Sequence, residues 1–228
     1  MIQLQSVSKK YGNGVQALDD INLVIQSGEF VYLTGASGSG KSTLMKLLYR
    51  EEIPTQGQIT IDQFNVNRLR RRQVPQLRRH VGVVFQDFRL LPNLTAYENL
   101  AYALEVTGDS RKKIRRRVMQ VMEQVKLAHK INQYPDELSG GEQQRIAIAR
   151  AIAHDPKILI ADEPTGNLDP ESALEIQHIL EAIHDRGTTV IMGTHNDQLV
   201  DRFPHRTITL HRGQLIRDQA EGGYYEIS

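Results

Sequence analysis

Residues 35–43 have the types and the spacing that bind phosphate groups. The glycines and the lysine fit the pattern G-x-x-x-x-G-K-[ST], with the members Gly35, Ala36, Ser37, Gly38, Ser39, Gly40, Lys41 and Ser42. Glycines let the backbone curl so that successive N–H groups point at phosphate oxygens, and the N-terminus of a following helix adds partial positive charge. We expect Lys41 to reach the β- and γ-phosphates of a nucleotide, Ser42 to contact Mg²⁺ and Thr43 to contact the α-phosphate. The alternative is a glycine-rich turn with a surface lysine.

The elements around this loop are those of a mostly parallel α/β fold. Strand signals occur at 2–7, 21–26, 30–34, 58–62, 81–85, 158–162, 188–193 and 206–210. Several are apolar throughout, which is typical of strands covered by helices on both faces. Helical spacing of apolar residues occurs near 41–50, 110–127, 141–154 and 170–186, with Asp169 and Pro170 as the predicted N-cap and first residue of the last helix. Arg212 and Gly213 predict the turn of a C-terminal hairpin.

The composition limits the kinds of partner. The formal net charge is +1 and the chain has no cysteine, so neither a global positive field for nucleic acid nor a disulfide framework is available. We find no secretory leader and no apolar run of about 20 residues that would cross a bilayer. We therefore expect any membrane role to depend on a separate protein.

Leu138, Ser139, Gly140, Gly141, Glu142 and Gln143 spell the signature sequence of the ABC ATPases, and the chain resembles that family over nearly its whole length. The resemblance implies ATP and Mg²⁺ as cofactors. It also implies roles for residues that match other family motifs. Asp162 would hold the magnesium shell, Glu163 would polarise the attacking water, Gln86 would contact Mg²⁺ and water, and His195 would lie at the γ-phosphate.

Other residues match further parts of the family pattern. Asp169 belongs to the loop that crosses the dimer interface, and Tyr11 lies where the family stacks an aromatic ring on adenine. Ser139, Gly140 and Gly141 would form a second anion-binding nest at a helix N-terminus, and Gln143 would bind the same nucleotide. Each residue also has an ordinary explanation, such as surface charge for the Asp–Glu pair, a structural histidine, and packing for Tyr11.

The family fold predicts how these residues cooperate. The fold class is α/β, a P-loop NTPase with a mostly parallel core sheet, an antiparallel β part and an inserted helical lobe. We expect one domain over 1–228, with 1–86 and 151–228 forming the RecA-like core and β part and 87–150 the helical lobe. The phosphate loop would be one wall of the site, and 138–143 of a second copy would be the other, so that ATP holds a homodimer together.

Residues 162–169 resemble a part of the family that contains the lipoprotein-release, macrolide-efflux and cell-division cassettes, and residues 48–52, 85–92 and 95–99 narrow the resemblance to the cell-division branch. That branch implies an integral membrane partner of FtsX type, control of cell-wall hydrolases, and a peripheral location at the cytoplasmic face of the plasma membrane. The segment after Gln86 would line the groove for a helix of the partner. Its apolar residues are equally compatible with the core of the helical lobe: Phe88, Leu90, Leu91 and Leu94.

Other functions stay open. A lipoprotein-release or macrolide-efflux cassette would share every catalytic residue named above. A soluble ABC protein acting on nucleic acid is a weaker alternative, because no coiled coil, zinc insertion or second cassette is visible, and a P-loop kinase has no use for 138–143. Two basic clusters are interpreted as solvated faces, or less readily as contacts with anionic lipid: one at Arg68, Arg70, Arg71, Arg72, Arg78 and Arg79, the other at Arg111, Lys112, Lys113, Arg115, Arg116 and Arg117.

Overall fold

Ten strands and seven α-helices form the described part of the chain, residues 1–106, 108 and 110–222 of this computed structural model. The strands are β1 (Ile2–Lys10), β2 (Gln16–Ile25), β3 (Phe30–Thr34), β4 (Gln56–Ile61), β5 (Phe64–Asn65), β6 (Val81–Val84), β7 (Ile158–Asp162), β8 (Thr189–Gly193), β9 (His205–His211) and β10 (Gln214–Gly222). The α-helices are α1 (Lys41–Leu48), α2 (Val74–His80), α3 (Ala96–Glu105), α4 (Arg111–Gln124), α5 (Gly140–Ile152), α6 (Pro170–His184) and α7 (Asp197–Arg202). Short 3₁₀ turns occupy Val66–Arg68, Arg71–Gln73, Ala128–Lys130 and Pro135–Glu137.

The larger sheet has the strand order β10-β9-β3-β8-β7-β6, and the five strands from β9 to β6 are parallel. Every residue of β3 and β8 is buried, as their continuous apolar sequences predict for strands covered on both faces. One hydrophobic cluster lies on each side of this sheet. Because the strands are parallel, the loops after β3, β6, β7 and β8 all leave from the same edge, which is where ligands bind in open α/β sheets.

A second sheet is antiparallel, with the order β2-β1-β4-β5. Its inward residues join the hydrophobic cluster beneath α1, and Val7 and Ile21 are fully buried there. The strand β1 is irregular, with shifts in its pairing to β2 between Leu4 and Lys10. This sheet therefore covers the helix that follows the phosphate loop.

Helices α3, α4 and α5 pack against one another. The buried positions Ile114, Val118 and Val121 form one face of α4, at the spacing that amphipathic helices require. Thr95 begins α3 with a reciprocal capping box to Glu98, and Ser139 begins α5 with the same arrangement to Glu142. These three helices lie between β6 and β7 in the chain.

The predicted fold class is confirmed, and all eight predicted strands are present with ends shifted by a few residues. The predicted hairpin at Arg212 and Gly213 and the capping of α6 by Asp169 are also confirmed. The strand β5 and the helices α2, α3 and α7 were missed. The division of the chain at 86/87 and 150/151 stays a prediction, and α5 continues to Ile152.

Candidate nucleotide site

A cavity of about 700 Å³ lies where β3, β6, β7 and β8 end. It brings together most of the residues that the sequence singled out, although they are far apart in the chain. Lining it are Tyr11, Val15, Gln16, Ala17, every residue from Gly35 to Thr43, Gln86, Glu163 and His195. The cavity is thus the candidate site for a nucleotide.

The loop from Gly35 to Gly40 depends on glycine for its path. Gly35, Gly38 and Gly40 have φ angles of 132°, 77° and 112°, a region that side chains with a Cβ disfavour. A Cβ on Gly35 would also overlap the carbonyl oxygen of Leu210, and one on Gly40 would lie 2.7 Å from that of Ala17. Packing and backbone conformation therefore both require glycine at these two positions.

The first turn of α1 is arranged to receive an anion. Its N-cap is Gly40, so no side chain accepts hydrogen bonds from the first amides, and no acidic residue lies in that turn. Uncapped N–H groups at a helix start attract negative charge. The helix thus keeps these donors available for phosphate oxygens.

Lys41 lies across the loop that it follows. Its Nζ donates hydrogen bonds of 2.6 Å to the carbonyl oxygen of Gly35 and 3.2 Å to that of Ala36, and it lies 4.0 Å from Oε1 of Glu163. The side chain is buried, so its charge is stabilised by these oxygens rather than by solvent. Phosphate oxygens entering the loop would replace the carbonyls as acceptors for the same ammonium group.

The turn of the C-terminal hairpin holds the loop from the other side. The amide of Gly213 donates to the carbonyl of Ser39 at 2.9 Å, and the amide of Asp19 donates to the carbonyl of Gly213 at 2.8 Å. A Cβ on Gly213 would approach the carbonyl oxygen of Ala17 to 2.8 Å. Gly213 therefore joins the phosphate loop to β2. The sequence predicted the turn but not this contact.

Glu163 and His195 form the polar wall opposite the loop. Nδ1 of His195 lies 2.7 Å from Oε2 of Glu163, and the amide of Glu163 donates to the carbonyl of Gly193 at 3.0 Å. Glu163 has a φ of 50°, an uncommon conformation for this residue type and one found at functional sites. Its carboxylate is mostly buried, whereas the imidazole is largely exposed.

Asp162 lies at the end of β7, next to Glu163 in the chain. Its Oδ1 is buried and has no hydrogen-bond partner. Gly193 on the neighbouring strand β8 has no side chain, and a Cβ at that position would lie only 3.3 Å from this oxygen. A buried carboxylate oxygen without a partner is costly, and a cation or its water shell would satisfy it.

Gln86 follows β6 and contributes its amide to the cavity wall. The peptide at Gly166 passes close to it, since a Cβ there would lie 3.1 Å from Nε2 of Gln86. The buried Gln144 on α5 donates to the carbonyl of Pro164 at 2.8 Å. The loops after β6 and β7 therefore pack against each other and against α5.

Tyr11 lines the cavity beside α1. Its hydroxyl lies 3.3 Å from Oγ1 of Thr43, and Nζ of Lys9 lies 5.0 Å from the ring centroid. The ammonium group of Lys9 is itself fixed by Glu52 at 2.6 Å. The ring is thus held in place by a cation and by a hydroxyl of the helix that carries the phosphate loop.

The other predicted residues do not line this cavity. Ser139, Gly140, Gly141 and Gln143 lie at the start of α5, and Asp169 caps α6. These two helix starts are in contact, because a Cβ on Gly141 would lie 2.6 Å from Oγ of Ser172. Within one chain they form a separate surface.

Hydrogen bonds keep this second surface charged and ordered. The amide of Ser139 donates to the carboxylate of Glu142 and lowers the pKa of that group. The backbone amide of Ser172 likewise lowers the pKa of Asp169. Both carboxylates are therefore occupied as helix caps. The hydroxyl of Ser139 can still donate a hydrogen bond to an anion.

One set of lining residues was not predicted. Val15, which precedes β2, and the first two residues of that strand, Gln16 and Ala17, line the cavity, and no motif in the sequence indicates this. The described residues contain no group of three or more His, Cys, Asp or Glu side chains that could hold a metal ion alone. Over the same residues, no helix is long and apolar enough to cross a membrane.

Comparison with known proteins identifies close relatives. The family model described as "ABC transporter" matches residues 18–166. The chain is 52% identical to the cell division ATP-binding protein FtsE of Streptococcus pneumoniae serotype 2, covering 98% of this chain and 97% of the relative. It is 45% identical to FtsE of Escherichia coli K12, over 94% of this chain and 97% of the relative.

A solved structure is similar over almost all of the chain. It is a dimeric, post-hydrolysis state of an ATP-binding cassette with bound ADP and phosphate. The identity is 37%, the TM-score is 0.89, and the alignment covers 98% of this chain and 100% of the other. The similarity therefore extends through the cavity and through the separate surface at α5 and α6.

Proposed function

The chain belongs to the ABC transporter family and is an ATPase, and on that basis we propose that it hydrolyses ATP between two copies of itself and passes the resulting movement to a membrane partner in cell division. The observation that carries the proposal is the separation of the two phosphate-binding surfaces. The cavity holds Lys41 and Glu163, whereas Ser139 lies outside it. A second copy would supply the missing wall, and a dimeric cassette of the same fold supports this arrangement.

The proposed roles follow from the contacts. Lys41 and the loop amides hold the β- and γ-phosphates, Thr43 the α-phosphate, and Tyr11 the base. Glu163 orients and polarises the attacking water. His195, hydrogen-bonded to Glu163, fixes the orientation of that carboxylate and reaches toward the γ-phosphate. From the second copy, Ser139, Gly140, Gly141 and Gln143 contact the γ-phosphate, and Asp169 lies at the interface between the copies.

The residues present fit a magnesium ion. Asp162 offers an unpartnered oxygen, and Ser42 and Gln86 lie on the walls of the cavity. Magnesium in nucleotide sites is held by one or two protein groups and by the phosphates, so a preformed metal cage is not needed. When bound, the ion would neutralise phosphate charge. The protein groups supply the positioning of water and nucleotide.

A groove beside the site is the proposed position of the membrane partner. It has a volume of about 580 Å³ and an apolar lining that includes Tyr49, Val83, Phe85, Ala103 and Val106. Val106 is 66% exposed, which is unusual for a valine. In the segment after Gln86, Leu90 packs against the hydrophobic cluster that contains the buried faces of α3, α4 and α5, and Leu91 is exposed.

The names of the relatives support the choice of partner. Curated relatives from several bacteria are named as cell division ATP-binding proteins. We assign an integral membrane protein of FtsX type as the partner, control of cell-wall hydrolases as the outcome, and a peripheral position at the cytoplasmic face of the membrane. A lipoprotein-release or macrolide-efflux cassette remains the alternative, because its catalytic residues would be the same.

Replacing Glu163 tests the dimeric mechanism. Glu163→Gln keeps the size of the side chain but removes the charge that polarises water, so phosphate release should fall about a hundredfold or more. ATP binding should persist, and a dimer should accumulate on size exclusion with ATP. Glu171→Gln, in the exposed first turn of α6, is the matched control. A variant that binds ATP yet stays monomeric would contradict the two-copy site.

Coexpression tests the biological role. The tagged chain is purified from membranes in which an FtsX-type protein and a lipoprotein-release permease are both present. Recovery of the FtsX-type protein alone would support the cell-division role. Val106→Glu, which places a charge in the apolar groove, should reduce that recovery without changing ATP turnover in solution. Recovery of the permease instead would favour the alternative function.

A further inference from the structure

The two basic clusters of the sequence meet at one cavity. Arg79, from the first cluster, lies in the last turn of α2, and Lys113, Arg116 and Arg117, from the second, lie on α4. Together they line a cavity of about 570 Å³. None of the residues that line this cavity also lines the nucleotide site. The fold therefore concentrates positive charge that is divided between two distant stretches of sequence.

The charges of the cavity do not cancel. Three arginines, Arg79, Arg116 and Arg117, face one carboxylate, that of Asp155, which lies 3.3 Å from Arg117. Asp155 is also highly exposed, so its interaction is weakened by solvent. An excess of positive charge in a concave, partly apolar site attracts anions more strongly than the same charge on a flat surface.

Two of the arginines are already ordered. Arg117 donates to the carbonyl of Ala153 at 2.8 Å and to that of Ile152 at 3.0 Å, and Arg79 donates to the carbonyl of Val106 at 3.2 Å. Guanidinium groups that are held in place lose little conformational freedom when they bind a ligand. Arg117 also donates to Gln120 at 3.2 Å and to Asp155 at 3.3 Å, which leaves about one of its N–H groups for a phosphate oxygen. Arg79 and the exposed Arg116 offer the paired donors that suit a phosphate.

Arg116 completes the rim of the cavity. Its side chain is exposed, and it forms no hydrogen bond or ion pair within the described part of the chain. Leu104 and Ile114 form an apolar part of the wall. The cavity thus presents charged groups at its rim and apolar groups along one side.

His154 adds a polar group between this cavity and the apolar groove. Its Nε2 is buried without a hydrogen-bond partner. Burial lowers the pKa of His154, and the nearby charge of Arg117 lowers it further, while Asp155 acts in the opposite direction. Burial is the larger cause, and the smaller contribution of Arg117 comes from a positive charge that an anion in the cavity would also experience.

We propose that this cavity binds a phosphate-bearing anion, either the headgroup of an acidic phospholipid or a free phosphate compound. Arg79 and Arg117 provide the fixed donors, and Arg116 folds over the phosphate from α4. The site is independent of ATP hydrolysis, since it shares no residue with the nucleotide cavity. Its position beside the apolar groove would bring a headgroup and a membrane partner to neighbouring surfaces.

The test uses the whole chain with saturating ADP, so that the phosphate loop is occupied. One arm measures cosedimentation with vesicles of phosphatidylglycerol and phosphatidylcholine, compared with phosphatidylcholine alone. The other arm measures binding of inorganic pyrophosphate by calorimetry. The variant is Arg116→Glu, and the matched control is Arg115→Glu, which makes the same charge change on an exposed residue of the same helix outside the cavity.

Arg116→Glu should weaken binding to the acidic vesicles or to pyrophosphate about tenfold, and Arg115→Glu should change that binding much less. The rate of ATP turnover should be unchanged in both variants. Loss confined to acidic vesicles would identify the lipid headgroup, and loss of pyrophosphate binding would identify a free phosphate compound. Equal losses in the two variants would mean that only the general charge of α4 matters and would overturn the proposal. So would an absence of binding to both probes.

Discussion

The guanidinium group of Arg150 donates a hydrogen bond of 2.6 Å to the main-chain carbonyl of Arg89. A second bond of 3.0 Å goes to the carbonyl of Phe88, and both Phe88 and Arg89 have positive φ angles. Arg150 lies near the end of α5, the helix that begins at Ser139 and Gly140. One helix thus joins the surface at Ser139, which we propose contacts the nucleotide of a second copy, to the segment with positive φ angles that follows Gln86.

Replacing Arg150 should loosen that connection. Arg150→Ala leaves two carbonyl groups without their donor, so we expect a loss of about 1–3 kcal/mol in the free energy of unfolding. Urea titration measures the change. Arg115→Ala, at an exposed position of α4, is the control and should change stability by less than about 0.5 kcal/mol. Equal stability of the two variants would show that the bonds to Phe88 and Arg89 contribute nothing.

Lys41 should be essential for nucleotide affinity. In Lys41→Ala the ammonium group that now binds Gly35 and Ala36 is absent, and the phosphates lose their buried cation. We expect affinity for ATP to fall about a hundredfold or more, since charge-assisted hydrogen bonds are among the strongest in proteins. Calorimetry gives the affinity, and circular dichroism checks the fold. Lys46→Ala, in the last turn of the same helix, should bind ATP normally.

Two glycines of the same loop should differ in their tolerance of alanine. Gly35→Ala places a methyl group against the carbonyl of Leu210 and requires a φ of 132°, so the loop must move and ATP binding should be lost. Gly38→Ala meets nothing within 4 Å and requires only the left-handed region at 77°. It should cost about 1 kcal/mol of stability and keep most of the affinity. Similar losses of ATP affinity in both variants would contradict this structural distinction.

Glu181 should contribute to stability at neutral pH and lose that contribution in acid. Burial by itself raises the pKa of its carboxyl, but hydrogen bonds from His205 and Gln177, together with nearby His184, outweigh burial and place the pKa below its ordinary value of 4.5. A carboxyl group whose pKa is lowered in the folded state stabilises the protein at pH values above its ordinary pKa. This stabilisation is lost as the pH falls through the lowered pKa of the folded state.

Glu181→Gln should therefore be less stable than the wild type at pH 7, and the difference should shrink below pH 4.5. Urea midpoints at several pH values measure both. Glu123→Gln, at an exposed position of α4, is the control and should follow the wild-type curve. A constant difference between Glu181→Gln and wild type across this range would exclude the carboxylate charge as its cause.

The sequence was sufficient for the parts of the site that are built from neighbouring residues. Gly35 to Thr43 could be predicted because a buried strand, a glycine-rich turn and a helix follow one another without interruption. The parallel strands could be predicted because β3 and β8 are apolar throughout. Helix α3 was missed although Thr95 and Glu98 have the spacing of a capping box, which was a usable signal.

Contacts between distant segments could not be predicted in this way. Neither the hydrogen bond between Gly213 and Ser39 nor the unpartnered oxygen of Asp162 leaves a pattern in the local sequence. The shared cavity of Arg79 and Arg116 is a similar case, since each cluster alone is compatible with a solvated face. These features depend on how distant segments pack against one another, and the periodicity of apolar residues along the sequence does not indicate this packing.

The bond from Gly213 to Ser39 bears on how the protein matures during translation. Residues 205–222 leave the ribosome after the phosphate loop, Glu163 and the helices have all been synthesised. Until that hairpin emerges, the loop has no support on one side. A nascent chain should therefore acquire tight nucleotide binding only in a late, all-or-none step rather than gradually during elongation.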